Sequence, residues 1–340
     1  MTYTTIELLG EGAFGQVFLE RDDALDRYCA KKVLNKPSNP SQQRISEAAL
    51  MEITKYENVA RVYQADHEGD VPFIRMEYLP KRSTLDCYHG KPVPVLAAIE
   101  RLSDAARGLE HLHNNRVLHR DIKPGNLLLS ENGTLKISDF GLARSMDDES
   151  PSLIAYEPHL APEEVGSGSY FGSVAADIYA LGVTAYRLLN GEQLFWSSVS
   201  RAPNLRRAIE LGRVPDRTKW LPHIHAPLRH AVSRAINRKP EKRFASAADF
   251  RHALEQSRPV VGWEMSRRSG SVTWNGYKSG ELTWLAEFSV SGHEINFDAR
   301  KVGANGKHRR MSLANYKGAD INTATAHASR MLNGIAVGTY

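Results

Sequence analysis

The two segments that most constrain the fold of this chain lie near its middle. Residues 119–126 read HRDIKPGN, and residues 136–144 read KISDFGLAR. Phosphoryl transfer needs a group that orients the attacking hydroxyl, a cation for the γ-phosphate and oxygen ligands for Mg²⁺. Asp121, Lys123, Asn126 and Asp139 are side chains of those types. Their spacing favours a phosphotransfer site, so any fold proposed for the chain has to bring the two segments together.

A glycine-rich segment lies near the N-terminus, where residues 10–17 read GEGAFGQV. Gly10, Gly12 and Gly15 would let backbone amides approach phosphate oxygens without side-chain clashes, and Val17 could cover a flat base. Alone the pattern is weak, because glycines often only form a turn. The two central segments strengthen the interpretation of residues 10–17 as a phosphate-binding loop.

A pair of lysines, Lys31 and Lys32, lies on the strand-like run at residues 28–34. A lysine among apolar neighbours on a strand is unusual unless its ammonium group meets an anion. The alternative is an edge-strand lysine in solvent. Glu47, on the next helical segment, could pair with Lys32 and direct it toward phosphates.

Over roughly residues 5–257 these segments together resemble the eukaryotic-type (Hanks-type) serine/threonine protein kinase family, in the form also found in bacteria. The resemblance implies an α+β, two-lobed kinase fold, with a β-rich N-lobe and hinge at residues 1–79 and a helical C-lobe at residues 80–257. It also implies Mg²⁺-ATP as the phosphate donor, with Mn²⁺ as an alternative metal, and a protein as the acceptor. Lys123, two residues after Asp121, is typical of serine/threonine rather than tyrosine kinases.

The same resemblance implies a role for each matching residue of the central segments. Asp121 would be the catalytic base, and Lys123 would stabilise charge on the transferring phosphoryl group. Asn126 and Asp139 would hold the two Mg²⁺ ions.

The resemblance also implies how ATP is bound. Lys32, held by Glu47, would contact the α- and β-phosphates, whereas Lys31, on the opposite side of the strand, would face solvent. The backbone of Glu77 and Leu79 would bond the base, although plain core packing is the alternative for the apolar members of the site. The ten ATP-binding residues are Gly10, Gly12, Gly15, Val17, Ala30, Lys32, Met76 (as gatekeeper), Glu77, Leu79 and Leu128.

Three further residues match structural positions of the family. Glu163, in the run APE at 161–163, would end the activation segment and form a buried ion pair with Arg243, and Asp177 would begin the central helix. One segment differs from the sequence pattern of the family: residues 155–160 read AYEPHL where a Gly-Thr-Pro-like run is usual. The missing threonine normally braces the catalytic Asp and Lys, so recognition of a peptide substrate has weaker support than ATP binding.

The segment between Asp139 and Glu163 offers candidate phosphorylation sites, which are Ser145, Ser150, Ser152 and Tyr156. A phosphate there would add about −2 charge and could order the segment on Arg120, which precedes the catalytic Asp. The acidic run at residues 147–149 could hold the segment without phosphate, and an ordinary solvated acidic loop is the other alternative.

The C-terminal part of the chain, residues 258–340, has a different sequence pattern and is called the tail below. Residues 258–262 look like a linker, and residues 263–340 carry +4 of the net charge of +5. Alternating residues from Leu282 to Val290 and from Ile295 to Ala299 predict antiparallel strands, and Asp320 could cap a helix that stops at Gly334. We expect a small domain of about three strands and one helix.

The function of this small domain has two readings. Its tryptophans, Trp263, Trp274 and Trp284, and the basic cluster at 307–310 would suit a nucleic-acid partner, but tryptophans alternating in strands are more often core. A docking or autoregulatory role toward a protein partner is favoured.

Composition bounds the remaining possibilities. Only two cysteines, Cys29 and Cys87, are present, and no run reaches the length of a membrane span, so we expect a cytoplasmic protein with no membrane partner. An active, self-phosphorylating enzyme is the leading hypothesis. The rivals are a pseudokinase scaffold, a kinase-gated nucleic-acid or partner-binding protein, and a small-molecule kinase.

Overall fold

The computed structural model describes residues 3–12, 15–34, 47–146, 156–167 and 172–340. Its first part is a five-stranded antiparallel sheet in the order β1-β2-β3-β5-β4. The strands are β1 (Tyr3–Gly12), β2 (Gly15–Asp22), β3 (Arg27–Leu34), β4 (Val62–Glu68) and β5 (Val71–Glu77). Helix α1 (Glu47–Ile53) packs beside β4. Residues 29–32 of β3 are all buried, and because successive residues of a strand point to opposite faces, both faces of the sheet are covered at this place.

The second part is mostly helical and is built around α5. Residues 176–190 of this helix are all buried, because most of its residues are apolar and they are spread around the whole helix. The Ser173 hydroxyl caps its start by accepting from the Ala176 N–H, and Gly191 ends it with a φ of 78°. The helices are α2 (Thr84–Cys87), α3 (Val95–Asn114), α4 (Pro162–Ser167), α5 (Val174–Asn190), α6 (Glu192–Ser200), α7 (Leu205–Glu210), α8 (Ala226–Ala235) and α9 (Ala247–Gln256).

Two short antiparallel ladders flank the segments that the sequence singled out. Strand β6 (Val117–Leu118) pairs with β9 (Arg144–Ser145), and β7 (Leu127–Leu129) pairs with β8 (Leu135–Ile137). The loop at 119–126 therefore runs from β6 to β7, and residues 139–141 run from β8 toward β9. Pairing of the flanking strands brings the two segments side by side.

The last part is a six-stranded antiparallel sheet closed by a helix, in the order β10-β11-β12-β13-β14 with β15 also on β13. Its elements are β10 (Gly262–Arg268), β11 (Ser271–Lys278), β12 (Glu281–Ser291), β13 (Glu294–Val302), β14 (His308–Arg310), β15 (Tyr316–Gly318) and α10 (Ile321–Ala336). As expected, Asp320 caps α10 by accepting from the Thr323 N–H at 2.7 Å. The helix does not stop at Gly334 but continues to Ala336, since a glycine is tolerated inside a helix. The Tyr340 ring packs on this glycine, where a Cβ would lie 2.3 Å from Tyr340 Cε2.

The C-terminal sheet and helix pack directly on the C-lobe. A single cluster of buried apolar side chains extends from α3 and α5 into the three tryptophans and α10. Gly262 at the start of β10 approaches α3 so closely that a Cβ would lie 2.3 Å from Leu96 Cγ. Across the same contact, Asn333 Nδ2 donates to the Pro222 carbonyl at 2.7 Å. This region is therefore an extension of the C-lobe rather than a loosely tethered appendage.

The predicted fold class is confirmed: a sheet-based first lobe, a helical second lobe and an additional sheet-and-helix region. The tail has six strands, not about three. The proposed boundaries at residues 79, 257 and 262 stay predictions, although α9 ends at Gln256 and β10 begins at Gly262. No helix among the described residues is long and apolar enough to cross a membrane.

Candidate active site

The loop at residues 119–126 is anchored from below by Asp177, near the start of the buried helix α5. The Asp177 carboxylate accepts from the backbone N–H of His119 at 2.9 Å and of Arg120 at 2.8 Å, and it lies 2.9 Å from His113 Nε2. Burial alone would raise the pKa of Asp177, but the hydrogen bond and charge of His113, with neighbouring donors, outweigh burial and hold it below the ordinary value. An ionised carboxylate therefore fixes the start of the loop.

In the same loop, two functional side chains contact the carboxylate of a third. Lys123 Nζ lies 2.7 Å from Asp121 Oδ2, and Asn126 Nδ2 donates to the same oxygen at 2.9 Å. Asp121 is almost fully buried, and this burial raises its pKa against the opposing effect of Lys123. A raised pKa makes a carboxylate a stronger proton acceptor, which suits a group that orients a hydroxyl.

The amide of Asn126 has a fixed orientation. Its Nδ2 donates both to the Asp121 carbonyl oxygen, at 2.8 Å, and to the Asp121 carboxylate. Because both partners are acceptors, the nitrogen must face them, and Oδ1 remains as the group that can ligate a cation. Asp139 supplies a second carboxylate and pairs with Lys32 Nζ. Its φ of 69° lies in the left-handed region, which a non-glycine residue rarely adopts and which often marks a functional site.

These oxygens fit a magnesium–nucleotide complex. Mg²⁺ typically takes one or two protein carboxylates and completes its shell with phosphate oxygens and water. Asn126 and Asp139 provide such a partial set. Among the described residues no group of three or more His, Cys, Asp and Glu side chains could hold a metal by itself.

The two lysines of β3 point to opposite faces, as expected, but the expectation that Lys31 faces solvent is wrong. Lys31 Nζ lies 2.6 Å from Glu68 Oε1 and 3.6 Å from Glu20 Oε1, and its side chain is only 10% exposed. Arg75 donates to the same Glu20 at 2.7 Å. Strand alternation predicts opposite faces, but it does not reveal that an ion-pair cluster covers the second one.

Glu47 is the predicted partner of Lys32. Glu47 is the first residue of α1, but its side chain lies outside the described part of the structure. The Lys32–Glu47 pair therefore stays a prediction, and the described partner of Lys32 is Asp139.

The predicted base-binding residues lie along the junction of the two lobes. Ala30 and Met76 are paired across β3 and β5, Val17 is paired with Lys32, and Leu128 lies on β7. The N–H of Glu77 donates to the Arg61 carbonyl at 2.8 Å, and the carbonyl of Leu79 accepts from the Arg82 N–H at 3.2 Å. The Leu79 N–H is a donor of the kind that a base nitrogen can accept, and base binding through Glu77 and Leu79 stays a prediction.

The glycines of the N-terminal motif differ in what they do. A Cβ on Gly15 would lie 1.9 Å from the Val33 carbonyl oxygen, and its φ is 134°, so this position requires glycine for backbone packing alone. A Cβ on Gly10 or Gly12 would meet nothing within 4 Å. The space beside these two positions is open, and their role in ATP binding stays a prediction.

The predicted Glu163–Arg243 pair lies where the sequence suggested. Arg243 Nη1 and Nη2 donate to Glu163 Oε1 and Oε2, both at 2.7 Å, which is a bidentate geometry. Arg243 also donates to the carbonyls of Ala175 and Asn237 at 2.9 Å and 2.8 Å. Its guanidinium is fully buried, so the pair ties the end of the activation segment to the base of the C-lobe.

The candidate phosphorylation sites fall in different places. Ser145 is half-buried in β9, paired with Val117, and Tyr156 is half-buried with Lys123 Nζ 5.1 Å from its ring centroid. Ser150 and Ser152 lie outside the described residues. Phosphorylation at each of the four stays a prediction.

Arg120, the proposed phosphate-binding residue, lies beside an acid. A Cβ on Gly172 would lie 2.9 Å from Arg120 Nε, so the side chain packs on that turn. Burial raises the pKa of Glu164 to about 7, and the charge of Arg120 acts against this rise. Both residues line a small cavity beneath the catalytic loop.

The sequence did not assign a role to three residues that support this loop: His159, Arg187 and Glu192. His159 Nδ1 lies 2.8 Å from the Ile122 carbonyl oxygen, and its Nε2 lies 2.8 Å from Arg187 Nη1. The sequence feature that could have indicated these contacts is an arginine within a mostly apolar helix, because a buried arginine requires a polar partner. His159 itself belongs to the run that departs from the usual pattern.

Comparisons with known proteins agree with this geometry. The model of the protein kinase domain matches residues 3–256. The chain is 31% identical over 267 residues to serine/threonine-protein kinase Pkn1 of Myxococcus xanthus, which covers 75% of this chain and 38% of that protein. It is 30% identical over 269 residues to PknB of Mycobacterium leprae (74% and 42%) and 28% identical over 260 residues to PrkC of Bacillus subtilis (73% and 39%). The aligned region thus spans about two fifths of each relative's length.

Proposed function

The chain belongs to the protein kinase family, and we propose that it transfers the γ-phosphate of Mg²⁺-ATP to serine or threonine hydroxyls of a protein. The observation that carries the proposal is the convergence of Lys123 and Asn126 on one oxygen of Asp121, at 2.7 Å and 2.9 Å. The three relatives described above are named as serine/threonine-protein kinases, which supports the choice of acceptor.

Each side chain has a defined task in this proposal. Asp121 accepts a hydrogen bond from the substrate hydroxyl and takes its proton as the oxygen attacks. Lys123 moves its positive charge from Asp121 toward the transferring phosphoryl group, and Lys32 neutralises the remaining phosphates. Asn126 Oδ1 and the Asp139 carboxylate would hold Mg²⁺, which would supply charge neutralisation on the phosphate oxygens.

The C-terminal region is proposed to be a docking or regulatory extension of the C-lobe. Its tryptophans would have to be accessible to stack on bases, yet Trp263, Trp274 and Trp284 are 1%, 3% and 5% exposed. This burial removes the aromatic support for the alternative, a kinase-gated nucleic-acid-binding protein. The basic strand β14 is exposed and could contact an acidic surface. Because the buried tryptophans cannot stack on bases, a protein partner is favoured over nucleic acid.

The test is transfer of labelled γ-phosphate by the purified full chain, with and without a basic protein substrate. Asp121→Asn should reduce transfer by at least ~10²-fold because it removes the proton acceptor, while ATP binding is retained. Asp23→Asn, an exposed acid on the β2–β3 turn, is the matched control and should behave as wild type. ATP binding without any transfer by the wild-type chain would instead support a scaffold.

A further inference from the structure

His159 lies directly beneath the catalytic loop, at the end of the activation segment, and is 5% exposed. Its Nδ1 contacts the carbonyl oxygen of Ile122 at 2.8 Å. This carbonyl belongs to the peptide bond that joins Ile122 to Lys123 and follows Asp121 by one residue. The Thr184 hydroxyl is also 3.5 Å away, but it donates its proton to the Ala180 carbonyl at 2.9 Å. The imidazole is therefore the close side-chain donor to this carbonyl.

The neighbouring arginine determines which imidazole nitrogen carries the proton. A guanidinium only donates, so Arg187 Nη1, at 2.8 Å, requires an unprotonated Nε2. Burial and then the charge of Arg187 hold the pKa of His159 well below its ordinary value, so the ring is neutral. A neutral imidazole whose Nε2 carries no proton has its proton on Nδ1, so Nδ1 donates to the Ile122 carbonyl.

Arg187 is itself fixed. Its Nε and Nη2 donate to Glu192 at 2.8 Å and 2.5 Å, its guanidinium lies 4.7 Å above the Phe195 ring, and its side chain is 4% exposed. The Trp196 indole donates to the same carboxylate at 2.8 Å. The three side chains of Glu192, Arg187 and His159 thus form a continuous hydrogen-bonded chain that ends on the catalytic loop.

We propose that His159 is a positioning residue for phosphoryl transfer, which holds the Ile122–Lys123 peptide plane and through it the spacing of Asp121 and Lys123. The proposal rests on the proposed kinase function. His159 touches no reacting atom. Rotation of this peptide plane would displace the acid on one side and the lysine on the other, and a misplacement of about 1 Å can reduce a rate by up to ~10²-fold. In the described part of the structure, His159 contacts the Ile122 carbonyl and none of the residues predicted to bind ATP, so the effect falls on kcat.

Two amide substitutions separate this role from simple stabilisation. His159→Asn places its amide nitrogen where Nδ1 lies and keeps the donor to Ile122, but it cannot reach Arg187. His159→Gln places its amide where Nε2 lies and keeps a partner for Arg187, but it loses the donor to Ile122. We expect His159→Asn to keep kcat within about threefold of wild type with a lower Tm, and His159→Gln to lose at least ~10-fold in kcat with a smaller change in Tm. KM for ATP should change less than ~2-fold in both.

The measurement is steady-state phosphotransfer and thermal unfolding of the full chain for both variants. His225→Asn is a matched control, since among the described residues the hydrogen bond given for its buried ring is to the Ser257 carbonyl, away from the site. It should lower Tm without lowering kcat. If kcat follows Tm across all three variants, or if His159→Gln keeps wild-type kcat, the positioning role is wrong. An inactive wild-type chain would overturn the proposed function itself, which is a separate result.

Discussion

The indole nitrogen of Trp274, in the C-terminal sheet, donates a 3.1 Å hydrogen bond to Nδ1 of His223 in the C-lobe. Both residues are buried, and Trp274 also packs edge-on against Phe297 in the neighbouring part of the sheet. The bond requires an unprotonated Nδ1, so the packing of the two regions depends on a neutral histidine.

Stability should therefore fall in acid through His223. Burial lowers its pKa to about 3 from the ordinary value near 6.5, so between these pH values the unfolded chain binds a proton that the folded chain does not. The contribution is complete above pH ~6.5 and is lost as the pH falls toward 3, by about 1.4 kcal/mol per pH unit. His223→Asn, which keeps an acceptor for Trp274, should flatten the plot of unfolding free energy against pH between 4 and 6. Urea unfolding at several pH values measures this slope, and an unchanged slope would contradict the assignment.

Removal of the C-terminal region should destabilise the kinase lobes. Residues 258–340 cover Leu96 and the surface around His223, and they share one apolar core with α3 and α5. A chain ending at Ser257 would expose that surface to water, so we expect a Tm lower by several degrees and a greater tendency to aggregate. Scanning calorimetry of both chains tests this. The full chain should unfold in one transition; two separate transitions would show that the regions are independent.

The Glu163–Arg243 pair should be worth far more than a surface pair. Glu163→Gln leaves a fully buried guanidinium without its counter-charge, and because Glu163 is 31% exposed we expect a loss of roughly 2–3 kcal/mol, below the range for fully buried pairs. Glu210→Gln is the control, since its 2.7 Å contact with Arg207 lies on an exposed helix surface and should change stability by less than ~0.5 kcal/mol. Equal losses in urea unfolding would refute this ranking.

The sequence could predict what depends on local pattern and motif spacing. Three features could be predicted without knowledge of long-range packing: the strand alternation of β12 and β13, the Asp320 cap and the residues gathered around Asp121. The extra strands of the tail were also encoded locally, since the dipeptide Ser-Gly occurs at 269–270, at 279–280 and at 291–292, in each case between two paired strands. By contrast, the burial of Lys31 and the contacts of His159 are set by elements far away in the chain.

The adjacent lysines Lys31 and Lys32 should separate stability from catalysis. Lys32→Met removes the cation that faces Asp139 and, in the proposed mechanism, the nucleotide phosphates. We expect at least ~10²-fold lower phosphotransfer, measured at a temperature where the variant is fully folded.

Lys31→Met is the matched substitution on the opposite face of the same strand. It removes a charged hydrogen bond to Glu68 and a nearby counter-charge for Glu20, so we expect a loss of about 1–2 kcal/mol in unfolding free energy. Its methionine can still pack on Phe73, and Arg75 still neutralises Glu20, which limits the effect. Phosphotransfer at a temperature where the variant is fully folded should stay within about threefold of wild type. If Lys31→Met abolishes transfer while Lys32→Met does not, the assignment of the phosphate-binding lysine is reversed.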